Sequence, residues 1–430
     1  MGAQTGRGTF YAEKNAGNKM KLISVESTDD PVACQIGVFE DRTGRETKVL
    51  FRSLDRVSLP ENYDHFFIVG ALAAFLRNEP YLHLGPVCGK LYANFHLAMK
   101  QWSGWWKYQP IKIDAVQVSA NADVTRAQTT GCLMSGGVDS MFTALTKSDE
   151  ISAFVHLDHC RSERAGSAIN RPHTGLESFA KGLGQSLYRI ETNVMLAFPE
   201  IEDAWSSLSH GACMASVGHF LSSELTSLCI SASFADHQMR PWGSHPTTDQ
   251  WLSSDLLQFK HVGTDFNRFE KHKVIAENPA YLEFLSVCEH GPQSGAHLNC
   301  SNCQKCLRSM ITLDLLNVEP ALAPTFDWSA YTPKQLKQFL LRGHVNTSEL
   351  LAYAEEIGRE DVATVLRGVI DYAEKYSWIV DLELWSRRRF NWLLKYKRTL
   401  KRIRTAIYAT MNIRPRRMST QKKKRDQEYT

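Results

Sequence analysis

The chain has 430 residues, of which 43% are hydrophobic, and this composition excludes global disorder and allows two or three domains. Its longest apolar run, residues 66–76, is too short to cross a bilayer and indicates a buried helix. The net charge is only +4, and ten cysteines behind an N-terminus without an apolar signal core favour a reducing, cytoplasmic compartment.

Residues 20–125 are predicted to form a small α+β domain. Short apolar segments predict strands over residues 21–27, 33–39, 46–51 and 111–118, and longer apolar patterns predict helices over 63–77 and 88–102. The polar segment 41–45 is typical of a hairpin connection. Trp102, Trp105 and Trp106 are expected to pack against the next domain, with a binding face as the alternative.

Strands and helices alternate from residue 129 onward, which predicts an α/β domain with a doubly wound parallel sheet. The predicted strands are 129–134, 151–157, 186–192, 227–233 and 258–262, and the predicted helices are 139–147, 175–183, 211–224 and 269–278. Ligands bind at the carboxyl ends of such strands. The residues at these ends are Ser135, Asp158, His159, Asn193 and Ser233. Residues 241–246 are either a substrate loop or an ordinary surface loop.

The segment Ser135-Gly136-Gly137-Val138-Asp139-Ser140 lies between a predicted strand and a predicted helix. Two adjacent glycines let the backbone approach a ligand closely, because no side chain stands in the way. The free N–H groups at a helix start point at an anion. The segment is therefore predicted to bind phosphate, although it does not have the spacing of a Walker loop.

Four cysteines follow downstream, Cys288, Cys300, Cys303 and Cys306. Two C-x2-C steps place thiolates on tight turns, and four thiolates suit a tetrahedral Zn²⁺. Because all four positions are cysteine, the predicted zinc site is structural rather than catalytic. A reactive dithiol and an iron–sulfur cluster are the alternatives.

The hexapeptide resembles the signature of the PP-loop ATP pyrophosphatases, and its combination with the cysteines resembles the 7-cyano-7-deazaguanine synthase branch over residues 129–318. The resemblance implies an adenine-nucleotide-hydrolase-like fold, and ATP cleaved to AMP and pyrophosphate. It also implies that Ser135, Ser140 and the amides of Gly136, Gly137 and Val138 hold the pyrophosphate part, and that Asp139 holds Mg²⁺. Lys271, and more weakly Arg268, would face the pyrophosphate. The chain departs from that branch in its longer first cysteine gap and its N- and C-terminal regions.

The C-terminal part is predicted to be helical and then strongly basic. A helix is expected at 307–316, and a helical accessory domain at 326–384 with helices over 333–342, 348–357 and 360–376. Residues 387–430 hold sixteen Lys or Arg and two acidic residues, so their charge is +14 and the rest of the chain sums to 4 − 14 = −10. The basic amphipathic helix and tail at 385–430 are expected to meet nucleic acid, an anionic membrane surface or the protein's own body.

The resemblance implies an ATP-dependent adenylating enzyme that uses Mg²⁺ and activates a small-molecule carboxylate or nucleobase-like substrate for nitrogen transfer. One alternative is an RNA-modifying enzyme in which Cys303 or Cys306 carries sulfur. The other is a non-catalytic ATP-sensing interaction protein.

Overall fold

The computed structural model describes residues 6–9, 19–60, 62–119, 127–160, 175–288, 297–339, 347–376 and 378. The chain divides into two compact units, Met1–Tyr331 and Thr332–Thr430. The predicted accessory domain at 326–384 therefore begins inside the first unit, six residues before the second unit starts.

Over its described residues, the N-terminal part of the first unit contains six strands and two helices. The strands are β1 (Gly6–Thr9), β2 (Met20–Thr28), β3 (Cys34–Glu40), β4 (Glu46–Ser53), β5 (Tyr81–Cys88) and β6 (Ile113–Val118). The helices are α1 (Asp64–Arg77), between β4 and β5, and α2 (Gly89–Trp106), between β5 and β6.

The remainder of the first unit alternates strands with helices. The strands are β7 (Thr130–Leu133), β8 (Ala153–Cys160), β9 (Ser186–Thr192), β10 (Ser227–Ser231) and β11 (Gln258–Val262). The longer helices are α3 (Val138–Thr146), α4 (Leu176–Gly182), α7 (His210–Phe220), α9 (Arg268–Ala276) and α11 (Gln304–Leu315). The short helices are α5 (Val194–Ala197), α6 (Pro199–Asp203), α8 (Pro246–Asp249) and α10 (Pro279–Leu282), with a π-helix at Trp205–Ser209.

One sheet contains all eleven strands, in the order β11-β10-β7-β8-β9-β4-β3-β2-β5-β6, with β1 paired to β2. The five strands from β7 to β11 pair with one another in parallel. The chain winds outward from β7 to β9 and then crosses to the other side of β7 to add β10 and β11. The protein is thus an α/β protein with a large, mostly parallel sheet, an arrangement compatible with the predicted doubly wound fold. The switch point lies between β7 and β10.

Helices cover both faces of this sheet because its strands are apolar on both sides. Along β8, Phe154 belongs to one buried apolar cluster, whereas Ala153 and Val155 belong to the other. The first cluster contains residues of α3, α4, α9 and α11, and the second contains residues of α1, α2 and α7. The helices that follow β7 and β11 therefore share one face, and both begin at the carboxyl edge of the sheet.

The two regions predicted as separate domains, 20–125 and 129–318, share this sheet and lie in one compact unit. Strand β4 pairs antiparallel with β9 from Phe51↔Thr192 to Ser53↔Ile190. The division predicted near residue 125 is therefore not a boundary between compact units. A sequence pattern identifies strands but does not show which strand of one region lies beside which strand of another.

Strand β5 was not predicted, because Gly85 and Pro86 interrupt its apolar pattern. The structure accommodates Pro86 at a register shift between β5 and β6. The apolar run that begins at Phe66 lies in α1, whose residues 64–75 are all buried. Trp102 and Trp106 are buried in the core, as expected for packing residues. Among the described residues, no helix is long and apolar enough to cross a membrane.

The described part of the second unit contains a 3₁₀ segment, Pro333–Phe339, and two helices, α12 (Ser348–Glu356) and α13 (Glu360–Lys375). The helices predicted at 348–357 and 360–376 are thus present, whereas the one predicted at 333–342 is a 3₁₀ segment up to residue 339. Helix α13 buries one face against its neighbours, with Val362, Val365, Leu366, Val369 and Ala373. The predicted basic helix and tail at 385–430 lie outside the described residues.

Candidate functional site

The glycine loop, Ser135–Ser140, joins the carboxyl end of β7 to the start of α3. Gly136 has φ +75°, a left-handed conformation that favours glycine. The Ser135 hydroxyl oxygen accepts the N–H of Gly137 at 3.3 Å and lies 3.2 Å from the Ser140 hydroxyl. Ser140 in turn donates its hydroxyl to the Gly137 carbonyl at 3.0 Å. Both predicted serines therefore help to hold the shape of the loop.

The N-terminus of α3 follows directly from this loop. Gly137 precedes the helix in an extended conformation, with φ −79° and ψ 168°. In the described part of the chain no side chain caps this helix start. The first-turn amides, which have no partner within the helix, are therefore available to an external acceptor.

Asp139 lies in the first turn of α3 and contacts two cations. Its Oδ2 accepts a hydrogen bond from Arg268 Nη2 at 2.5 Å, and Lys271 Nζ lies 3.4 Å from its Oδ1. Arg268 and Lys271 are three residues apart in the first turn of α9, so their side chains share one face of that helix. The structure thus brings together the residue that the resemblance assigns to Mg²⁺ and the two that it assigns to the pyrophosphate.

Helix α9 begins at this point because of a capping box. The Asn267 side chain accepts the N–H groups of Phe269 and Glu270 at 2.9 and 3.0 Å, and the Glu270 carboxylate accepts the N–H of Asn267 at 2.7 Å. The cap places Arg268 at the first helical position. Two cations at a helix N-terminus are unfavourable by themselves, so the carboxylate of Asp139 is needed to offset them.

Lys271 is 1% exposed. Its Nζ donates to the carbonyl of Ala232 at 2.6 Å and lies 5.7 Å from the centre of the Phe142 ring. Burial lowers the pKa of the Lys271 amine, while the Asp139 carboxylate acts in the opposite direction. Ala232 directly follows β10, so Lys271 links that strand to the glycine loop after β7. The cation therefore lies at the switch point of the sheet.

The Arg268 side chain is partly exposed, but its Nε is buried and has no hydrogen-bond partner among the residues that the structure describes. Its carbonyl accepts a hydrogen bond from His272 Nδ1 at 2.8 Å. Burial lowers the pKa of His272 to about 4, so the imidazole is neutral at pH 7. Because Nδ1 donates, Nε2 accepts from the Ser309 hydroxyl, which lies at 3.0 Å.

Other strand-end residues have different roles or cannot be placed. The Asn193 side chain accepts the N–H of Leu50 at 2.7 Å and donates to the carbonyl of Lys48 at 3.0 Å. It therefore fastens β4 beside β9 and does not serve the glycine loop. Ser233 is partly exposed just beyond β10. The side chains of Asp158 and His159 lie outside the described residues.

In the segment 241–246, Gly243 is packed against the π-helix and the start of α7. The Gly243 N–H donates to the carbonyl of Ser206 at 3.0 Å, and the Gly243 carbonyl accepts the N–H of Gly211 at 2.6 Å. A Cβ at Gly243 would lie 2.1 Å from the carbonyl oxygen of Trp205. Ser244 is buried and donates to Asp249 at 2.6 Å. Its middle residues, Gly243 and Ser244, are therefore buried rather than exposed on an ordinary surface loop.

A cluster missed from the sequence consists of Phe234, Arg240 and Trp242. The Arg240 guanidinium lies 4.4 Å from the Phe234 ring centre and 5.7 Å from that of Trp242. Partial burial lowers the pKa of this guanidinium. Within the described ranges, Arg240 has no ion-pair partner. Phe234 lies two residues after Ala232, whose carbonyl accepts the hydrogen bond from Lys271. The cluster therefore lies at the same edge of the sheet. In the sequence, an arginine flanked by aromatic residues just after a predicted strand could have indicated this cluster.

The four predicted cysteines form a second site. Their four sulfur atoms all lie within 4.8 Å of one another. Cys303 Sγ is 3.3 Å from Cys306 Sγ and 4.0 Å from Cys288 Sγ, and Cys300 Sγ is 3.9 Å from Cys306 Sγ. Tetrahedral zinc with Zn–S bonds of about 2.3 Å requires sulfur separations of about 3.8 Å. The donor set therefore fits a closed zinc site.

Local structure brings these cysteines together. Cys303 precedes α11, and Cys306 lies in its first turn. Ser301 has φ +53°, and its hydroxyl accepts the N–H of Asp327 at 2.7 Å, which fixes the turn between Cys300 and Cys303. Cys288 lies in a separate segment of the chain, after α10. Residues 289–296, inside the long cysteine gap, lie outside the described ranges.

Comparison with known proteins gave no match to a family model, to a curated protein or to a solved structure.

Proposed function

We propose that this protein is an ATP-dependent adenylating enzyme that cleaves ATP to AMP and pyrophosphate. The activated compound is a small-molecule carboxylate or nucleobase-like substrate. Its oxygen attacks the α-phosphorus, the bond between the α-phosphorus and the bridging oxygen breaks, and pyrophosphate leaves. A nitrogen nucleophile such as ammonia then displaces AMP.

The observation that carries the proposal is the meeting of two helix starts at the switch point of a parallel sheet. The first turn of α3 offers main-chain N–H groups that no described side chain caps, and Arg268 and Lys271 add two positive charges at the same edge. Amides and cations that are already in place stabilise phosphate charge without reorganisation. A polyphosphate is the ligand that such an arrangement suits.

Asp139 has two roles in this proposal. In the protein without nucleotide, its carboxylate neutralises part of the charge of Arg268 and Lys271. When the phosphates of ATP replace the carboxylate as the ion-pair partner of these cations, the carboxylate can serve as an oxygen ligand for Mg²⁺. Magnesium would supply charge neutralisation at the phosphates. The cations, by contrast, position the chain of phosphates for attack.

The cysteine site supports a structural role for its metal. Four sulfur atoms within 4.8 Å of one another can fill all four positions around zinc, so no position remains for substrate. Cys303 and Cys306 are also buried, which disfavours them as carriers of sulfur to an RNA substrate. Arg240, stacked on Phe234 and Trp242, is a suitable cation for an anionic, planar substrate at the same edge.

The deciding experiment incubates the purified protein with α-³²P-labelled ATP, Mg²⁺ and a cell metabolite extract. Formation of labelled AMP together with pyrophosphate supports the proposal. Formation of ADP and phosphate alone contradicts it. Binding of ATP without AMP formation, in every extract fraction tested, favours an ATP-sensing protein instead.

A further inference from the structure

We propose that metal binding at the four cysteines and anion binding at the glycine loop are energetically coupled, and that Asn299 is the positioning residue between the two sites. The identity of the anion as ATP rests on the proposed function. The coupling itself rests on a chain of hydrogen bonds that is independent of that function.

The first link joins the glycine loop to the segment that carries Cys288. Ser286 donates its backbone N–H to the carbonyl of Gly136 at 2.7 Å. Gly136 is the left-handed residue of the loop, so this bond fixes the peptide group where the chain turns. Ser286 lies only two residues before Cys288. A displacement of Cys288 therefore acts directly on the glycine loop.

The second link is the Asn299 side chain, which is adjacent to Cys300 and 2% exposed. Its Oδ1 accepts the N–H groups of Val287 at 2.8 Å and of Cys288 at 3.1 Å. Its Nδ2 donates to the carbonyls of Leu285 at 2.8 Å and of Thr325 at 3.2 Å. One buried amide thus holds the main chain on both sides of Ser286, and it uses all of its donors and acceptors to do so.

The third link runs from the cysteine site to the cations. Ser309 lies one helical turn after Cys306 in α11, and its hydroxyl contacts His272 Nε2 at 3.0 Å. His272 donates from its other nitrogen to the carbonyl of Arg268 at 2.8 Å. The helix that bears Cys306 therefore also supports the helix that bears Arg268 and Lys271. Both halves of the phosphate site rest on the metal-binding part of the chain.

The coupling is reciprocal by thermodynamic necessity. The metal joins Cys288 to the Cys300–Cys306 loop and so closes the same junction that Asn299 bridges. With the metal removed, the Leu285–Cys288 segment separates more readily from that loop, and Gly136 loses a fixed hydrogen-bond donor. If the metal raises the affinity for the anion by some factor, the anion must raise the affinity for the metal by the same factor.

The test measures three quantities on the full chain, with zinc and after its removal by a chelator. They are the dissociation constant for ATP, hydrogen exchange at the Ser286 amide, and the zinc dissociation constant with and without saturating ATP. We expect ATP to bind about tenfold more weakly without zinc, and zinc to bind about tenfold more weakly without ATP. The Ser286 amide should exchange faster in the zinc-free protein.

Asn299→Ala should reduce both coupling factors to below threefold, while it leaves the four thiolates in place. Asn302→Ala is the matched control, because Asn302 is an exposed asparagine of the same cysteine loop. It should behave like the wild type. If Asn299→Ala does not fold, Ser309→Ala tests the third link, and the comparison of zinc-loaded with zinc-free wild type still tests the coupling.

The outcomes separate the coupling from the proposed function. If wild-type protein binds no ATP, the proposed function fails, while Ser286 exchange still decides whether metal binding fixes the loop. The coupling is overturned if zinc removal leaves Ser286 exchange unchanged. It is also overturned if ATP binds with the same dissociation constant, within twofold, in the zinc-loaded and zinc-free proteins.

Discussion

The guanidinium of Arg268 lies 2.5 Å from the carboxylate of Asp139, although 129 positions separate the two residues in the chain. Lys271 approaches the other oxygen of the same carboxylate, so two cations share one anion. The cluster has a formal charge of 2 − 1 = +1 when the amine is protonated. An excess of positive charge beside a helix start that no described side chain caps is an arrangement that attracts an anion.

Asp139→Asn should lower the rate of AMP formation at least 100-fold. The substitution removes the oxygen ligand proposed for Mg²⁺ and leaves Arg268 and Lys271 without their counter-charge. Chromatographic measurement of AMP from ATP, with the active substrate fraction, checks this. Asp149→Asn makes the same change of charge at an exposed site just beyond α3 and should retain wild-type activity. Equal loss of activity in both variants would contradict a specific role for Asp139.

Much of this site was predictable because it depends on local order along the chain. A strand, a glycine pair and a helix start in this order predict a phosphate-binding loop. Parallel strands then bring their carboxyl ends to one edge of the sheet. Arg268 and Lys271, by contrast, are assigned through the resemblance to the PP-loop enzymes, which often place a basic residue at this helix start. The cysteine spacing likewise specified four sulfur ligands, since C-x2-C steps bring thiols together without help from the rest of the fold.

Other features depend on contacts between distant segments. No local pattern indicates that β4 lies beside β9, so one sheet was predicted as two domains. Asn193 is found at a strand end like a ligand-binding residue, but its amide serves the neighbouring strand. Asn299 resembles any polar loop residue, and its role depends on the Leu285–Cys288 segment returning to it. Burial and partners, rather than residue type, decide such roles.

The two glycines of the loop should respond differently to alanine. Gly136→Ala should lower the free energy of unfolding by about 1 kcal/mol, because a side chain disfavours the left-handed conformation at φ +75°. Gly137 has φ −79°, and a Cβ there would meet Ser135 Oγ at 3.3 Å, a contact that a small rotation relieves. Gly137→Ala should therefore change the unfolding free energy by less than about 0.5 kcal/mol. Urea unfolding of both variants checks this. A larger loss for Gly137→Ala would contradict it.

The purified protein should contain close to one zinc per chain. Cys303→Ser should lose both the metal and thermal stability, because the binding energy of a structural site is also folding energy. Elemental analysis and thermal unfolding measure the two effects. Cys34→Ser, which changes a free cysteine of β3, is the control and should keep its zinc. Iron in place of zinc, or a folded and active protein without metal, would refute this assignment.

Because Lys271 loses its proton as pH rises, we expect the affinity for ATP to fall and the free energy of unfolding to rise over the same pH range. Its pKa lies below the ordinary value of 10.5 because the amine is buried. As pH rises through this lowered pKa, the amine loses the charge that attracts phosphate, so ATP affinity should fall. In the same window, between the folded-state pKa and 10.5, the unfolded chain binds more protons than the folded chain. The free energy of unfolding should therefore gain a contribution that rises with pH.

Substitution of Lys271 separates this residue from other groups that titrate at alkaline pH. Lys271→Met should bind ATP at least tenfold more weakly at pH 7 and should lack both trends, since it has no proton to lose. Lys271→Arg keeps its charge throughout the range, so its ATP affinity should not fall as the wild type's does. Calorimetric titration with ATP and urea unfolding between pH 7 and 10 measure the two quantities. If Lys271→Met and the wild type lose ATP affinity in parallel as pH rises, the alkaline loss comes from another group, and Lys271 does not contact the phosphates as a charged amine.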